Sequence, residues 1–217
     1  MVDSAQHPTP RLALAASESL GGAGHSLDFY FPAEFFSAGR NAGADGKIGA
    51  ALAREGFTVI TGGGPGLMEA ANRGAQEAGG RSIGCHIVLP HEEGHNAYLD
   101  KVVTFYYFFV RKIMLVKYSC AYIILPGGFG TLDEMSEAIT LIQTGKLYDF
   151  PMILMGSDYW KGFLDWSRDS LLKNGAISAG DLDYLQLIDD PNEATKKIRD
   201  ICERIGLKLH PLSSSID

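Results

Sequence analysis

Along most of this chain, short runs that are apolar throughout alternate with longer segments of helical period. Phe57–Ile60, Ser82–Leu89, Ala121–Leu125, Pro151–Met155 and Tyr184–Ile188 read as strands. A strand that is apolar at nearly every position, and not only at every second one, is covered on both faces. That is the condition of parallel strands lying between two layers of helix. Helices are expected at Asp45–Glu55, Leu67–Ala78, Phe109–Tyr118, Leu132–Thr144, Tyr159–Asn174 and Asn192–Ile205. The first, second and fourth run into Gly56, Gly79 and Gly145, residues suited to the position after a helix end. Strand–helix alternation of this kind builds right-handed βαβ units, so the expected fold class is α/β, a doubly wound, mostly parallel sheet with helices on both faces. No internal repeat or linker divides the chain, which reads as one domain over residues 1–217. The first 44 residues are irregular; Leu12–Ala16 is a strand candidate there.

Charge and cysteine usage narrow the partners. With 19 basic and 26 acidic residues the formal net charge is -7, which argues against nucleic-acid backbones and anionic membrane surfaces. A small phosphorylated ligand stays open, because backbone N–H groups hold phosphate without any net positive charge. No apolar run approaches the roughly 20 residues that span a bilayer, and no basic region followed by an apolar one marks a signal peptide. Cys85, Cys120 and Cys202 are odd in number, far apart and without a CxxC pair, so neither a disulfide framework nor a cysteine zinc site is expected. A reduced, cytoplasmic setting follows.

Two glycine stretches sit where a doubly wound sheet binds ligands, at the carboxyl ends of strands. Gly62-Gly63-Gly64-Pro65-Gly66 follows the strand ending at Ile60, and Gly127-Gly128-Phe129-Gly130-Thr131 follows the strand ending at Leu125. Each leads into a helix whose first-turn N–H groups and dipole favour phosphate. Tight βα turns without a ligand are the plainer alternative for either loop alone. Two at equivalent positions favour a shared phosphate site. Neither loop completes the dinucleotide pattern G-x-G-x-x-G, since Leu67 and Asp133 stand where the third glycine belongs. Neither carries the lysine of a P-loop, so NAD and ATP are weak readings and a mononucleotide stays open.

Several charged or aromatic residues carry two readings each. Thr131-Leu132-Asp133-Glu134 matches a capping box, in which Thr131 and Glu134 satisfy the start of the helix. The same Glu134 would equally stabilise a cation developing beside a bound ligand. Arg111-Lys112 is embedded in "FYYFFVRKIMLVKYS". It is either a surface pair with stems along an apolar face or an arginine with an anionic partner, Glu134 or a phosphate. "HEEGH", His91–His95, spells the zinc-protease pattern H-E-x-x-H, but Pro90, Gly94 and Asn96 make it a polar loop and not the helix that zinc binding requires. Phe105–Phe109 is assigned to core or subunit packing, with one ring stacking on a base as the alternative.

Together, "GGGPGLMEAANRGA", "FFVRKIML" and "PGGFGTLDE" resemble the Lonely Guy family of nucleoside-monophosphate phosphoribohydrolases, once labelled lysine decarboxylases. The resemblance runs from about Asp45 to about Ile205, and "EAITLIQTGKLYDFP" extends it. It implies a Rossmann-like fold, a homodimer or larger even-numbered assembly, no metal or organic cofactor, and hydrolysis of a nucleoside 5′-monophosphate to free base and ribose 5-phosphate. The family's catalytic arginine and glutamate fall on Arg111 and Glu134. Its phosphate loop falls on Gly127, Gly128, Gly130 and Thr131, with Gly62, Gly63 and Gly64 lining the same site and Lys112 counted among the substrate- and phosphate-binding residues. The family's first strand ends in a Gly-Ser turn, whereas here Phe35–Arg40 places Ser37 ahead of Gly39. That departure keeps a second reading in view, a non-catalytic nucleotide or cofactor carrier. Pyridoxal phosphate chemistry is disfavoured, because no lysine stands in or next to either glycine loop to form the Schiff base.

Overall fold

The computed structural model describes residues 28–31, 42–88, 94–207 and 209. The strand candidate Leu12–Ala16, the Phe35–Arg40 turn, Leu89 and the His91–Glu93 part of the histidine motif lie outside the described residues. The strands are β1 (Asp28–Phe31), β2 (Thr58–Thr61), β3 (Ser82–Ile87), β4 (Lys101–Phe105), β5 (Ser119–Ile124), β6 (Met152–Leu154) and β7 (Leu185–Leu187). The helices are α1 (Ala42–Arg54), α2 (Leu67–Glu77), α3 (Phe108–Tyr118), α4 (Phe129–Gln143), α5 (Ser157–Trp166) and α6 (Pro191–Arg204). A π-helical turn, Ser167–Leu172, prolongs α5, and a 3₁₀ turn, Ala179–Tyr184, precedes β7.

All seven strands form one sheet in the order β4-β3-β2-β1-β5-β6-β7, and every paired neighbour is parallel. The sheet is thus doubly wound, as its uninterrupted apolar runs require. Within a strand, consecutive residues go to opposite faces. Val59, Ala121, Ile123 and Ile153 join the core under α1, α2 and α6. Their neighbours Ile60, Tyr122, Ile124, Met152 and Leu154 join the core under α3, α4 and α5. On the first face α1 and α2 touch backbone to backbone: a Cβ on Gly49 would overlap the Ala71 carbonyl, and one on Gly74 the Gly46 carbonyl.

Two strands escape the sequence reading. β1 is four residues, "DFYF", inside a stretch without period. β4, "KVVTF", is an edge strand with Lys101, Val103 and Thr104 exposed, so it lacks the apolar run that marks its neighbours. Of the aromatic cluster only Phe105, half-buried, packs against the core, while Tyr106 to Phe109 stand exposed, Tyr106 at 75%.

Candidate active site

The order of winding switches between β1 and β5: β2, β3 and β4 are added on one side of β1, and β5, β6 and β7 on the other. The crevice outside the carboxyl ends of such strands is where doubly wound folds bind ligands. The first glycine loop leaves β2 and the second leaves β5, the two strands that flank β1. The sequence therefore brings both loops to one end of the sheet, with a single strand between them.

The second loop opens α4 three residues earlier than the glycine content predicts. The helix begins at Phe129 with Gly128 as its N-cap, and no side chain caps it. The capping-box reading of Thr131 and Glu134 is thereby corrected, because the N-cap is Gly128 and Thr131 already lies inside the helix, three residues past the cap position that reading gives it. The structure has a capping box elsewhere, between Ser178 and Asp181. Packing drives the early start. Thr131 is fully buried, and a Cβ on Gly127 would overlap its hydroxyl, so Gly127 leaves the room that Thr131 occupies. From α5, Tyr159 Oη donates to the Gly127 carbonyl at 2.5 Å. The N–H groups of Gly128, Phe129 and Gly130 thus point out of an uncapped helix end with no helical acceptor.

Arg111 and Glu134 meet at this place. Arg111 stands in the first turn of α3 and is 1% exposed; Glu134 stands in the second turn of α4 and is 7% exposed. Arg111 Nη1 donates to Glu134 Oε1 at 3.0 Å, and Nε donates to the Cys85 carbonyl of β3 at 2.8 Å. A charged pair this dry persists because each partner neutralises the other and the guanidinium's N–H groups find acceptors. Glu134 lies four residues after Gly130, on the same helical face, and so stands above the glycine loop. Tyr122 of β5 lies close by. Burial first, and then the Glu134 carboxylate, pushes its phenol well above the ordinary value.

Gly62, Gly63 and Gly64 have a different physical task from the second loop. A Cβ on Gly62 would stand 2.6 Å from Arg111 Nη2 and 2.9 Å from Met68 Sδ, and one on Gly64 would stand 2.6 Å from Met68 Cε. Gly63 is left-handed, at φ 78°, and its N–H is already donated to Thr61 Oγ1 at 2.9 Å. This loop is a bare wall against which the guanidinium lies. Lys112 points elsewhere. It is ion-paired with Asp133 at 3.1 Å and Glu137 at 3.0 Å, and the hydrogen bond with Glu137, ahead of that with Asp133, raises its ammonium above the ordinary value. The residues that sequence reasoning missed are Thr61, Asn72, Ser82 and Asn96, which hold the first loop from behind. Asn72 did carry a signal, being a polar residue on the apolar stripe of Met68, Ala71 and Ala75.

Among the described residues no group of three His, Cys, Asp or Glu side chains is placed to hold a metal. Nor is any helix among them long and apolar enough to cross a membrane. A cavity of about 880 Å³ opens on the opposite face, between α1, α2 and the start of α6. It shares only Gly66 with the glycine loops and contains neither Arg111 nor Glu134.

Comparison with known proteins converges on one group. The family described as "Possible lysine decarboxylase" matches residues 68–198, a span that holds Arg111, Glu134 and the second glycine loop. The cytokinin riboside 5′-monophosphate phosphoribohydrolase of Mycobacterium tuberculosis is 32% identical over 157 residues, 69% of this chain and 81% of that protein. An Arabidopsis thaliana protein of the same description is 30% identical over 170 residues, 75% of this chain and 77% of its own length. Among solved structures, the molybdenum cofactor binding protein of Rippkaea orientalis superposes with a TM-score of 0.58 at 24% identity, over 81% of this chain and 95% of that one; the likeness is one of fold.

Proposed function

The chain belongs to the Lonely Guy family, the one described as possible lysine decarboxylase, and from that premise we propose that it is a nucleoside 5′-monophosphate phosphoribohydrolase. The substrates in this reading are AMP or a cytokinin riboside monophosphate, the names of its relatives lending support to the second. The observation that carries the proposal is the buried Arg111–Glu134 pair standing over an uncapped, glycine-lined helix start.

The 5′-phosphate is held by the N–H groups of Gly128, Phe129 and Gly130, with Thr131 closing the turn; the positive end of the helix supplies what the chain's net charge does not. Breaking the glycosidic bond sends the bonding pair to the base and leaves positive charge on the ribose. Glu134 stabilises that charge and takes a proton from the attacking water as its oxygen bonds to the anomeric carbon; the departing base takes up one proton from solvent and Glu134 releases one, so the products are the neutral base and ribose 5-phosphate. Arg111 fixes the carboxylate in place. Lys112, held by Asp133 and Glu137, joins α3 to α4 beside the site. The exposed face formed by Tyr106, Tyr107, Phe108, Phe109 and Ile113 supports a homodimer closed through it. Three buried cysteines outside any disulfide suit the cytoplasm.

Incubation with AMP and a prenylated AMP, followed by chromatography of base and ribose 5-phosphate, tests the assignment. Glu134→Gln keeps an oxygen for Nη1 but leaves the guanidinium without its counter-charge. A stability loss of up to about 3–5 kcal/mol is expected, and in the folded fraction a fall in kcat on the order of 10²–10⁴. Undiminished turnover in that variant removes Glu134 from the mechanism. AMP bound but never cleaved by the unaltered protein turns the assignment to a carrier.

A further inference from the structure

Behind the first glycine loop lies a polar network that the reaction as described does not use. Thr61, Asn72 and Ser82 are wholly buried and Asn96 nearly so. Thr61 Oγ1 donates to Asn72 Oδ1 at 2.7 Å, and Asn96 Nδ2 donates to the same oxygen at 3.0 Å. Asn72 Nδ2 donates to Ser82 Oγ at 2.8 Å. The outer ends of the network grip the loop: Gly63 N–H donates to Thr61 Oγ1 at 2.9 Å, Asn96 N–H to the Gly63 carbonyl at 2.8 Å, and Asn96 Nδ2 to the Gly64 carbonyl at 3.1 Å. Tyr98 N–H in turn donates to Asn96 Oδ1 at 3.0 Å.

We propose that Thr61 and Asn72 are positioning residues for Arg111, acting through the first glycine loop. The inference rests on the reading of Arg111 and Glu134 as the working pair. An apolar side chain at Asn72 would pack with Met68, Ala71 and Ala75 and demand no partners. The amide there instead holds Thr61 Oγ1 and Asn96 Nδ2, and Thr61 and Asn96 in turn bond the N–H and carbonyl of Gly63 and the carbonyl of Gly64. With that segment fixed, Gly62 has one position, and Gly62 is what Arg111 Nη2 rests against. The guanidinium is then located by the β3 carbonyl of Cys85, by Glu134 and by this wall. A network that served stability alone would have no reason to converge on the loop that meets the guanidinium.

Thr61→Val tests this, since it removes the hydroxyl and keeps a β-branched side chain suited to β2. Hydrolysis of AMP should lose on the order of 10–100-fold in kcat, as for a misplacement approaching 1 Å, with KM changed by less than about threefold, the split expected when transition-state contacts alone are lost. Thr61→Ser, which restores the hydroxyl, should recover most of it. A second readout is independent of turnover: solvent exchange of the Arg111 Nε–H, assigned by its absence in Arg111→Lys, should quicken in Thr61→Val and return to the original rate in Thr61→Ser. If Thr61→Val does not fold, Asn96→Ala cuts the grip on Gly64 from the more exposed side and should give the same two changes. Wild-type kcat together with wild-type exchange in a folded variant, whatever its melting temperature, overturns the proposal. If the unaltered protein cleaves neither AMP nor prenylated AMP, the phosphoribohydrolase reading fails, and the exchange rates alone decide the positioning claim.

Discussion

Gly62→Ala separates the fold of this protein from its chemistry. Gly62 is outside the left-handed region, so alanine is permitted by the backbone. Its Cβ, however, would stand 2.6 Å from Arg111 Nη2, against about 3.4 Å for an ordinary contact, so the guanidinium must retreat by about 0.8 Å. Taken along the ion pair, that movement opens the 3.0 Å bond to Glu134 to about 3.8 Å, beyond hydrogen-bonding range. A charge-assisted bond of this kind contributes about 1.5–3 kcal/mol, and the stiffer unfolded chain returns about 0.4–1 kcal/mol. The net loss lowers the melting temperature by only a few degrees at this size, about 2–4 °C per kcal/mol. Activity is far more sensitive, because a shift near 1 Å costs on the order of 100-fold. Calorimetry and AMP hydrolysis on the same preparation should therefore show a folded protein with kcat down about 10–100-fold. A folded Gly62→Ala with kcat within about twofold of the original would refute the claim that this loop sets the guanidinium, the misplacement argument having no other outlet.

Gly128 offers the opposite signature. A Cβ there meets nothing within 4 Å and φ is -92°, so Gly128→Ala should fold normally, yet crowd a phosphate lying on the α4 N–H groups and raise KM about tenfold, roughly 1.4 kcal/mol of binding, with kcat largely kept. An unchanged KM would place the phosphate elsewhere. Tyr122→Phe addresses pH. The unfolded chain releases a tyrosine proton near pH 10, whereas burial, then the Glu134 carboxylate, makes the folded protein keep it. The folded state thus binds more protons above that pH, so stability is intact below about pH 10 and falls as pH rises beyond it. Melting temperatures measured through this alkaline range should fall less steeply in Tyr122→Phe, and parallel curves would contradict the burial argument.

What the sequence disclosed and what it withheld have physical causes. Strands covered on both faces announce themselves, which is why β2, β3, β5 and β6 were legible and the doubly wound sheet followed. β4 forms the sheet edge with three of its five residues exposed, so no apolar run distinguishes it from a loop. The start of α4 was misplaced by three residues because glycine is a poor helix former. Gly130 reads as loop until it is known that Thr131 must pack on Gly127. Tertiary contact decided the boundary, and the capping-box reading fell with it.

The two glycine loops look alike as sequence and do different work. Spacing cannot distinguish them, because glycine marks only that something comes close to the backbone. In the second loop the N–H groups at the start of α4 have no helical acceptor, and the space in front of Gly128 is open. In the first, Gly63 N–H is already given to Thr61, and the neighbour that comes close is the protein's own Arg111. The loop followed by an uncapped helix start is therefore the one fitted to an anion. The loop whose groups are already engaged serves instead to hold a cationic side chain. Arg111, paired with Glu134, brings no net charge to the crevice. A phosphate bound here is recognised by the peptide backbone, which is how an acidic protein can take an anionic substrate.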